Sequence, residues 1–217
     1  MNPNTQRKEI GNSLKVIIEI FKSCNANYRI IGSTLIVAYT DKVFRHINDV
    51  DIILDSTSQS YVFKKLIESG FKFGNKKAAG FSWVEAKKDG HLGLTFFLVG
   101  EFKENYFTWH FSKSFELRIK NDYLKPTEYN FENIAFIGIP ISSAIAGIRQ
   151  SFLNPKRKLD KQVLREEIQK TKIKTYNNIH VYIFGIKIPY LYDSFSFFYN
   201  IYGGLRVIFG RKYEFWD

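Results

Sequence analysis

The sequence predicts an α/β (α+β) chain: a mixed β-sheet flanked by helices to about residue 139, then a mostly helical part over 140–217. Three observations predict it. Apolar residues recur at helical spacing between Glu9 and Cys24. Short apolar runs at Tyr28–Ile31 and Asp49–Leu54 are bounded by turn residues, and Asp89-Gly90 separates two strand-like runs. At 217 residues the chain is long enough for one large domain, or for a typical domain with a smaller appendage.

Ile10, Leu14, Ile17 and Phe21 lie at steps of four and three, on one face of a first helix that ends in Asn25-Ala26-Asn27. Tyr28–Ile31 reads as a strand stopped by Gly32-Ser33, with Ser33 as the cap of a short helix over Thr34–Tyr39. Polar residues then lead into a second strand, Asp49–Leu54. Ser58 or Ser60 opens a helix over Tyr61–Ser69, and Gly70 stops it. Phe81–Ala86 and Leu92–Val99 flank Lys88-Asp89-Gly90; Asp-Gly favours the positive φ values of a tight turn, so a hairpin is expected. Residues 100–131 read as further strand with loops, and Ile134–Ile139 as a strand ended by Pro140. Helices are expected over Ile141–Phe152 and Leu159–Thr171, a strand over Val181–Ile188, and an aromatic helix over Tyr190–Tyr202 stopped by Gly203-Gly204.

Composition narrows the function. Apolar residues make up 45% and charged residues 24%, which excludes a disordered chain. Lys and Arg outnumber Asp and Glu by 32 to 21, for a formal charge of +11; that field suits phosphate-bearing partners, although it is spread along the chain rather than gathered in a tract. The single cysteine, Cys24, excludes an internal disulfide and a cysteine zinc site, which fits a reducing, cytoplasmic setting. The polar start, Met1 to Asn12, has no secretory core, and the longest uncharged aromatic stretch, Ser194–Leu205, is shorter than the roughly 20 residues of a membrane span, so no membrane partner is expected. His46, His91, His110 and His180 have no metal-ligand spacing, and neither a P-loop nor a Gly-x-Ser-x-Gly elbow occurs. The rings of the tail, Phe195, Phe198, Tyr199 and Tyr202, fall at helical spacing; they suit core packing, or a stacking surface assisted by Arg206, Arg211 and Lys212.

The chemistry-bearing residues cluster between 30 and 51. Asp49 and Asp51, one residue apart on a strand, project from the same face while Val50 and Ile52 enter the core. Two close carboxylates repel in water but suit a hard divalent cation such as Mg²⁺ (or Mn²⁺), which takes oxygen ligands and shares them with substrate phosphates. Gly32-Ser33 offers close backbone approach and a hydroxyl at a helix N-terminus, where phosphate binds, and Arg45 can balance the carboxylates or hold a phosphate.

Ile30-Ile31-Gly32-Ser33-Thr34-Leu35 followed by Arg45-His46-Ile47-Asn48-Asp49-Val50-Asp51-Ile52 resembles the signature of the nucleotidyltransferase superfamily, particularly its antibiotic-adenylyltransferase and abortive-infection-toxin branches. The match covers Tyr28 to Leu54, with weaker similarity from Ile139-Pro140 to Leu164, including Arg149 and Lys156-Arg157-Lys158-Leu159-Asp160. The resemblance implies a mixed-sheet palm in which Gly32-Ser33 holds the triphosphate of ATP or another NTP and Asp49 and Asp51 bind Mg²⁺. Arg149 or Lys158 would steady the phosphates. The activity implied is transfer of a nucleoside monophosphate to a hydroxyl of a small molecule, a protein or a tRNA, and the toxin branch adds a possible antitoxin partner. One departure bears on activity. The third acid of the family is missing from His91–Val99, where Gly93 or Thr95 stands in its place; Glu85, on the preceding strand, is the substitute the hairpin offers. If Glu85 points away, either an acid from elsewhere completes the site or the chain is a weak or inactive relative that binds RNA or a protein.

Overall fold

The computed structural model describes residues 2–78, 81–100, 102–103, 105–112, 115–150, 155–170 and 179–188. The aromatic segment 190–202, its Gly203-Gly204 stop and Arg206, Arg211 and Lys212 lie outside the described residues.

Helix α1 (Pro3–Ser23) starts well before the apolar periodicity that announced it at Glu9. Asn2 accepts a hydrogen bond from the Asn4 amide at 3.0 Å, and Pro3 takes the first helical position, where its missing N–H is not needed. Ile10, Leu14, Ile17 and Phe21 are buried as expected. Strand β1 (Tyr28–Ile31) runs into helix α2 (Gly32–Thr40), then β2 (Asp49–Asp55) and α3 (Gln59–Glu68) follow. Asp55 caps the short 3₁₀ turn ahead of α3 by accepting from the Thr57 amide at 2.8 Å, and Gly70, with φ of +89°, ends the helix.

Strands β3 (Lys72–Ala78), β4 (Phe81–Lys87) and β5 (Gly93–Val99) form a meander, with Gly90 at φ +75° in the β4–β5 turn. The 100–131 region resolves into β6 (Phe102–Lys103), β7 (Tyr106–Ser112), β8 (Phe115–Lys120) and β9 (Thr127–Phe131), followed by β10 (Ile134–Gly138). Helices α4 (Ile141–Gln150), α5 (Pro155–Val163) and α6 (Arg165–Lys170) come next, then the hairpin β11 (Ile179–Ile183) and β12 (Ile186–Ile188). The single helix expected over Leu159–Thr171 is therefore two, α5 and α6, separated by the fully buried Leu164.

The larger sheet has seven strands in the order β3-β4-β5-β2-β1-β10-β9, and it is mixed: β2 pairs parallel with β5 and β1 parallel with β10, the rest antiparallel. On one face Ile30, Ile52 and Phe96 stand in a row and are fully buried. Helix α3 covers that face, Phe63 meeting Phe96 edge-on at 5.2 Å and Phe73 at 4.7 Å. The smaller sheet, β12-β11-β8-β7-β6, is antiparallel throughout, and Trp109 joins it to the larger one against Phe97 at 5.9 Å. Among the described residues no helix is long and apolar enough to cross a membrane.

Where β10 meets β1, Gly138 pairs with Ile30 and leaves no room for a side chain: an added Cβ would stand 3.0 Å from the Ile30 carbonyl oxygen and from Tyr129, and 2.6 Å from Leu35. Gly138→Ala is accordingly expected to destabilise the fold by about 1–3 kcal/mol, the usual cost of overpacking. An unchanged midpoint in thermal or urea unfolding would contradict this reading of the α2–sheet contact.

Candidate active site

The site is built on three neighbouring chain segments. The antiparallel β1–β2 register sets Ile31 opposite Asp51, which brings the residue after β1, Gly32, against the Asp51 side chain. A Cβ on Gly32 would lie 3.1 Å from Asp51 Cγ and collide with Oδ2, and Gly32 has φ of +70°, a conformation that disfavours every side chain but hydrogen. Glycine is required there twice over.

The parallel β2–β5 register places Gly93 beside Asp49 and Thr95 beside Asp51. Both aspartates project to the same face, as the one-residue spacing requires. Asp49 is exposed and Asp51 half-buried. Thr95 Oγ1 donates to Asp49 Oδ2 at 3.1 Å, and Thr34 Oγ1, in the first turn of α2, donates to the Asp49 carbonyl at 3.4 Å. Thr95 thus stands on the strand adjacent to β2, where a third acid was sought, and serves as a hydrogen-bond donor to the first.

Glu85 pairs with Thr95 from the far side, so it shares the face of the aspartates but sits two strands from β2. At about 4.8 Å per strand its backbone is roughly 10 Å from that of Asp51. Its Oε1 accepts from Trp83 Nε1 at 3.0 Å. Asp49, Glu85 and Thr95 line one cleft of 610 Å³ with Lys87, Lys88 and His91.

Ser33 does not cap α2; Ile31 holds the N-cap position with extended backbone, and the Ser33 hydroxyl instead accepts from Arg45 Nη2. Arg45 is turned toward this helix start rather than toward Asp49. Its Nε donates to Asp160 Oδ1 at 2.9 Å and its Nη1 to the His46 carbonyl at 3.1 Å. Asp160 is completely buried and the Arg45 side chain is 14% exposed. The sequence showed Asp160 only as the end of a basic run on α5; nothing local announces a partner 115 residues away. Arg149 is on α4 and Lys158, exposed, is on α5; both helices pack on α2, whose first residues are Gly32 and Ser33.

The ion implied by the resemblance fits this donor set. Mg²⁺ is commonly held by one or two protein carboxylates, with water and substrate phosphate completing its shell. Asp49 and Asp51 provide that many, on one face, beside the start of a helix. Among the described residues no group of three or more His, Cys, Asp and Glu converges to hold a metal, so Glu85 does not join the aspartates in a three-ligand cluster.

No protein-family model matches the chain, and no curated protein does. Solved structures do. The lincosamide antibiotic adenylyltransferase LnuA, with lincomycin bound, superposes with a TM-score of 0.59 and 19% identity, over 71% of this chain and 95% of its own. This is a nucleotidyltransferase fold. The antibiotic-resistance factor ANT(2'')-Ia agrees: its solution structure gives a TM-score of 0.54 at 10% identity over 77% of this chain and 90% of its own. The crystal structure of ANT(2'')-Ia with adenylyl-2''-tobramycin gives 0.53 at 11% identity, over 76% and 94%.

Two substitutions test the geometry. Asp160→Ala leaves the Arg45 guanidinium largely buried without its carboxylate, and is expected to cost about 3–5 kcal/mol of stability in denaturant unfolding. Gly32→Ala must adopt a left-handed backbone at about 1–2 kcal/mol and also displace the Asp51 carboxylate, so its unfolding midpoint should fall too. A Gly32→Ala protein as stable as the parent would refute the close approach of Asp51.

Proposed function

We propose that the chain is an Mg²⁺-dependent nucleotidyltransferase that moves a nucleoside monophosphate from an NTP to a hydroxyl acceptor. The observation that carries this reading is the packing of Asp51 against Gly32 at the start of α2, with Asp49 beside it facing a cleft. It puts a carboxylate pair next to a helix N-terminus, the two halves of a metal–polyphosphate seat. The adenylyltransferases that share the fold, one bound to lincomycin and one to adenylyl-2''-tobramycin, support transfer of AMP to a hydroxyl.

In this reading the backbone N–H groups after Gly32, the Ser33 hydroxyl and the Arg45 guanidinium bind the triphosphate. Asp160 keeps Arg45 aimed at Ser33, which ties the phosphate seat to the chain beyond residue 139; Arg149 and Lys158 add positive charge from α4 and α5. Asp49 and Asp51 would hold Mg²⁺, which when bound supplies charge neutralisation at the α-phosphate. Thr95 fixes the Asp49 carboxylate by its hydrogen bond. The acceptor oxygen bonds to the α-phosphorus as the bond to the bridging oxygen breaks, pyrophosphate leaves, and the acceptor proton passes to Glu85 in the same cleft.

Thr95 in the register position beside Asp51 favours a second reading, a module on this fold that binds nucleotide, RNA or protein without transfer. No residue of the cleft speaks to a toxin–antitoxin role. Thermal unfolding with Mg²⁺ and each of the four NTPs separates the alternatives. A ligand at a hundred times its Kd raises stability by about 2.7 kcal/mol. We expect such a rise, its loss in Asp49→Asn/Asp51→Asn, and transfer of α-phosphate label to a hydroxyl compound by the parent alone. Binding that survives the double substitution would remove the assignment; binding without transfer would select the second reading.

A further inference from the structure

We propose that the groove between α1 and the β9–β10 hairpin binds the phosphodiester backbone of a nucleic-acid duplex. The groove holds 620 Å³ and lies on the other side of the larger sheet from the aspartates. Phe21 of α1 meets Tyr28 at 4.2 Å, and Tyr28 shares its sheet face with Ile30 and Ile52, whereas Asp49 and Asp51 project from the opposite one. The proposal therefore stands apart from the transferase reading.

Charge that is scattered along the sequence is gathered here by the helix. Lys8, Lys15 and Lys22 recur every seven residues, close to two helical turns, and form one exposed row along α1 at the groove. At about 1.5 Å per residue, neighbours in the row are about 10 Å apart along the axis and the whole row spans about 21 Å. The stabilising arrangement on a helix sets an acid four residues ahead of each lysine; Asn4, Gly11 and Ile18 hold those positions instead. Among the described residues none of the three lysines is in an ion pair. Two acids line the groove among the described residues. Glu132 is bound to Arg7, which also pairs with Asp41 and lies over the Phe131 ring at 4.8 Å, so Glu19 alone faces the row of lysines. Cations set around a concavity focus a field that draws in a polyanion.

The lining selects which polyanion. Proteins that hold single strands stack bases on aromatic rings, and no ring lines this groove among the described residues. Its polar groups are lysine ammoniums and the side-chain amides of Asn4, Asn12 and Asn133, which suit phosphate and sugar oxygens. A duplex offers these in the densest regular array, one charge per about 1.7 Å of its axis.

The experiment measures fluorescence anisotropy of a labelled duplex of about two turns, as RNA and as DNA, and of the matching single strand, with the full chain. Either duplex should bind more tightly than the single strand, and the tighter one identifies the form recognised. Lys8→Gln/Lys15→Gln/Lys22→Gln, which keeps helix propensity, should weaken duplex binding more than about tenfold. It should also lower the salt slope by about 2.7, at about 0.9 per phosphate contact on DNA. Lys64→Gln/Lys125→Gln/Lys187→Gln removes equal charge from exposed positions elsewhere and should weaken binding by less than about threefold. The Lys8→Arg/Lys15→Arg/Lys22→Arg protein should keep the parental affinity. Equal losses in the two glutamine triples, tighter binding of the single strand, or displacement of the duplex by polyglutamate at equal charge overturns the groove as a duplex site. The Mg²⁺–NTP unfolding assay reads the transferase separately: its response should be the same in the parent and in Lys8→Gln/Lys15→Gln/Lys22→Gln, so either reading can fail while the other stands.

Discussion

Everything in the site depends on one close approach, that of the Asp51 carboxylate to Gly32. The β1–β2 register makes it unavoidable, because Ile31 lies opposite Asp51 and the chain turns into α2 at the next residue. A side chain at residue 32 would have to occupy the space of Oδ2. The carboxylate in turn sits beside the start of a helix, whose unpaired N–H groups carry partial positive charge. That placement fixes the distance between the Asp51 carboxylate and the start of α2.

Holding the turn itself falls to a residue far along the chain. Arg45 bridges Ser33 and the buried Asp160, so α5 grips the segment between α2 and β2 through a single guanidinium. A buried ion pair contributes little net stability, because desolvation offsets most of the attraction, but losing one partner is costly. Such a pair specifies geometry more than it stabilises. Its effect here, beside the packing of α4 and α5 on α2, is to tie the helices after Pro140 to the turn at Gly32-Ser33.

The parts legible in the sequence are those whose cause is local. The alternation of Asp49, Val50, Asp51 and Ile52, the Asp89-Gly90 turn and the stop at Gly70 each follow from backbone preferences within a few residues, and the structure has them where expected. Strand β3 was not legible: Lys-Phe-Gly-Asn-Lys-Lys-Ala is polar and carries residues poor in strands, and it is a strand because β4 offers it an edge. The smaller sheet has aromatic residues on both faces of β7, as in Tyr106, Phe107 and Trp109, so period-two contrast is lost there. Asn2-Pro3 was a readable helix start that the apolar count, beginning at Ile10, passed over. Ser33 had the composition of a cap, yet Arg45 claims its hydroxyl, and that contact is visible only in three dimensions.

Thr95 changes what the two aspartates can do. A third carboxylate in its place would add a negative charge one strand from both, and a metal could then bind without nucleotide. With a hydroxyl there the charge is lower, and the hydroxyl spends its proton on Asp49 Oδ2, leaving that carboxylate fixed in direction. Two carboxylates are an incomplete shell for Mg²⁺, so in the proposed transferase water and triphosphate would supply the remaining ligands. In the proposed transferase, metal and nucleotide would therefore bind as mutually dependent partners. In the proposed transferase the group that would take the acceptor proton is Glu85, one strand further out than Thr95, which would set the acceptor outward along the sheet, over the low floor of Gly93 and Thr95.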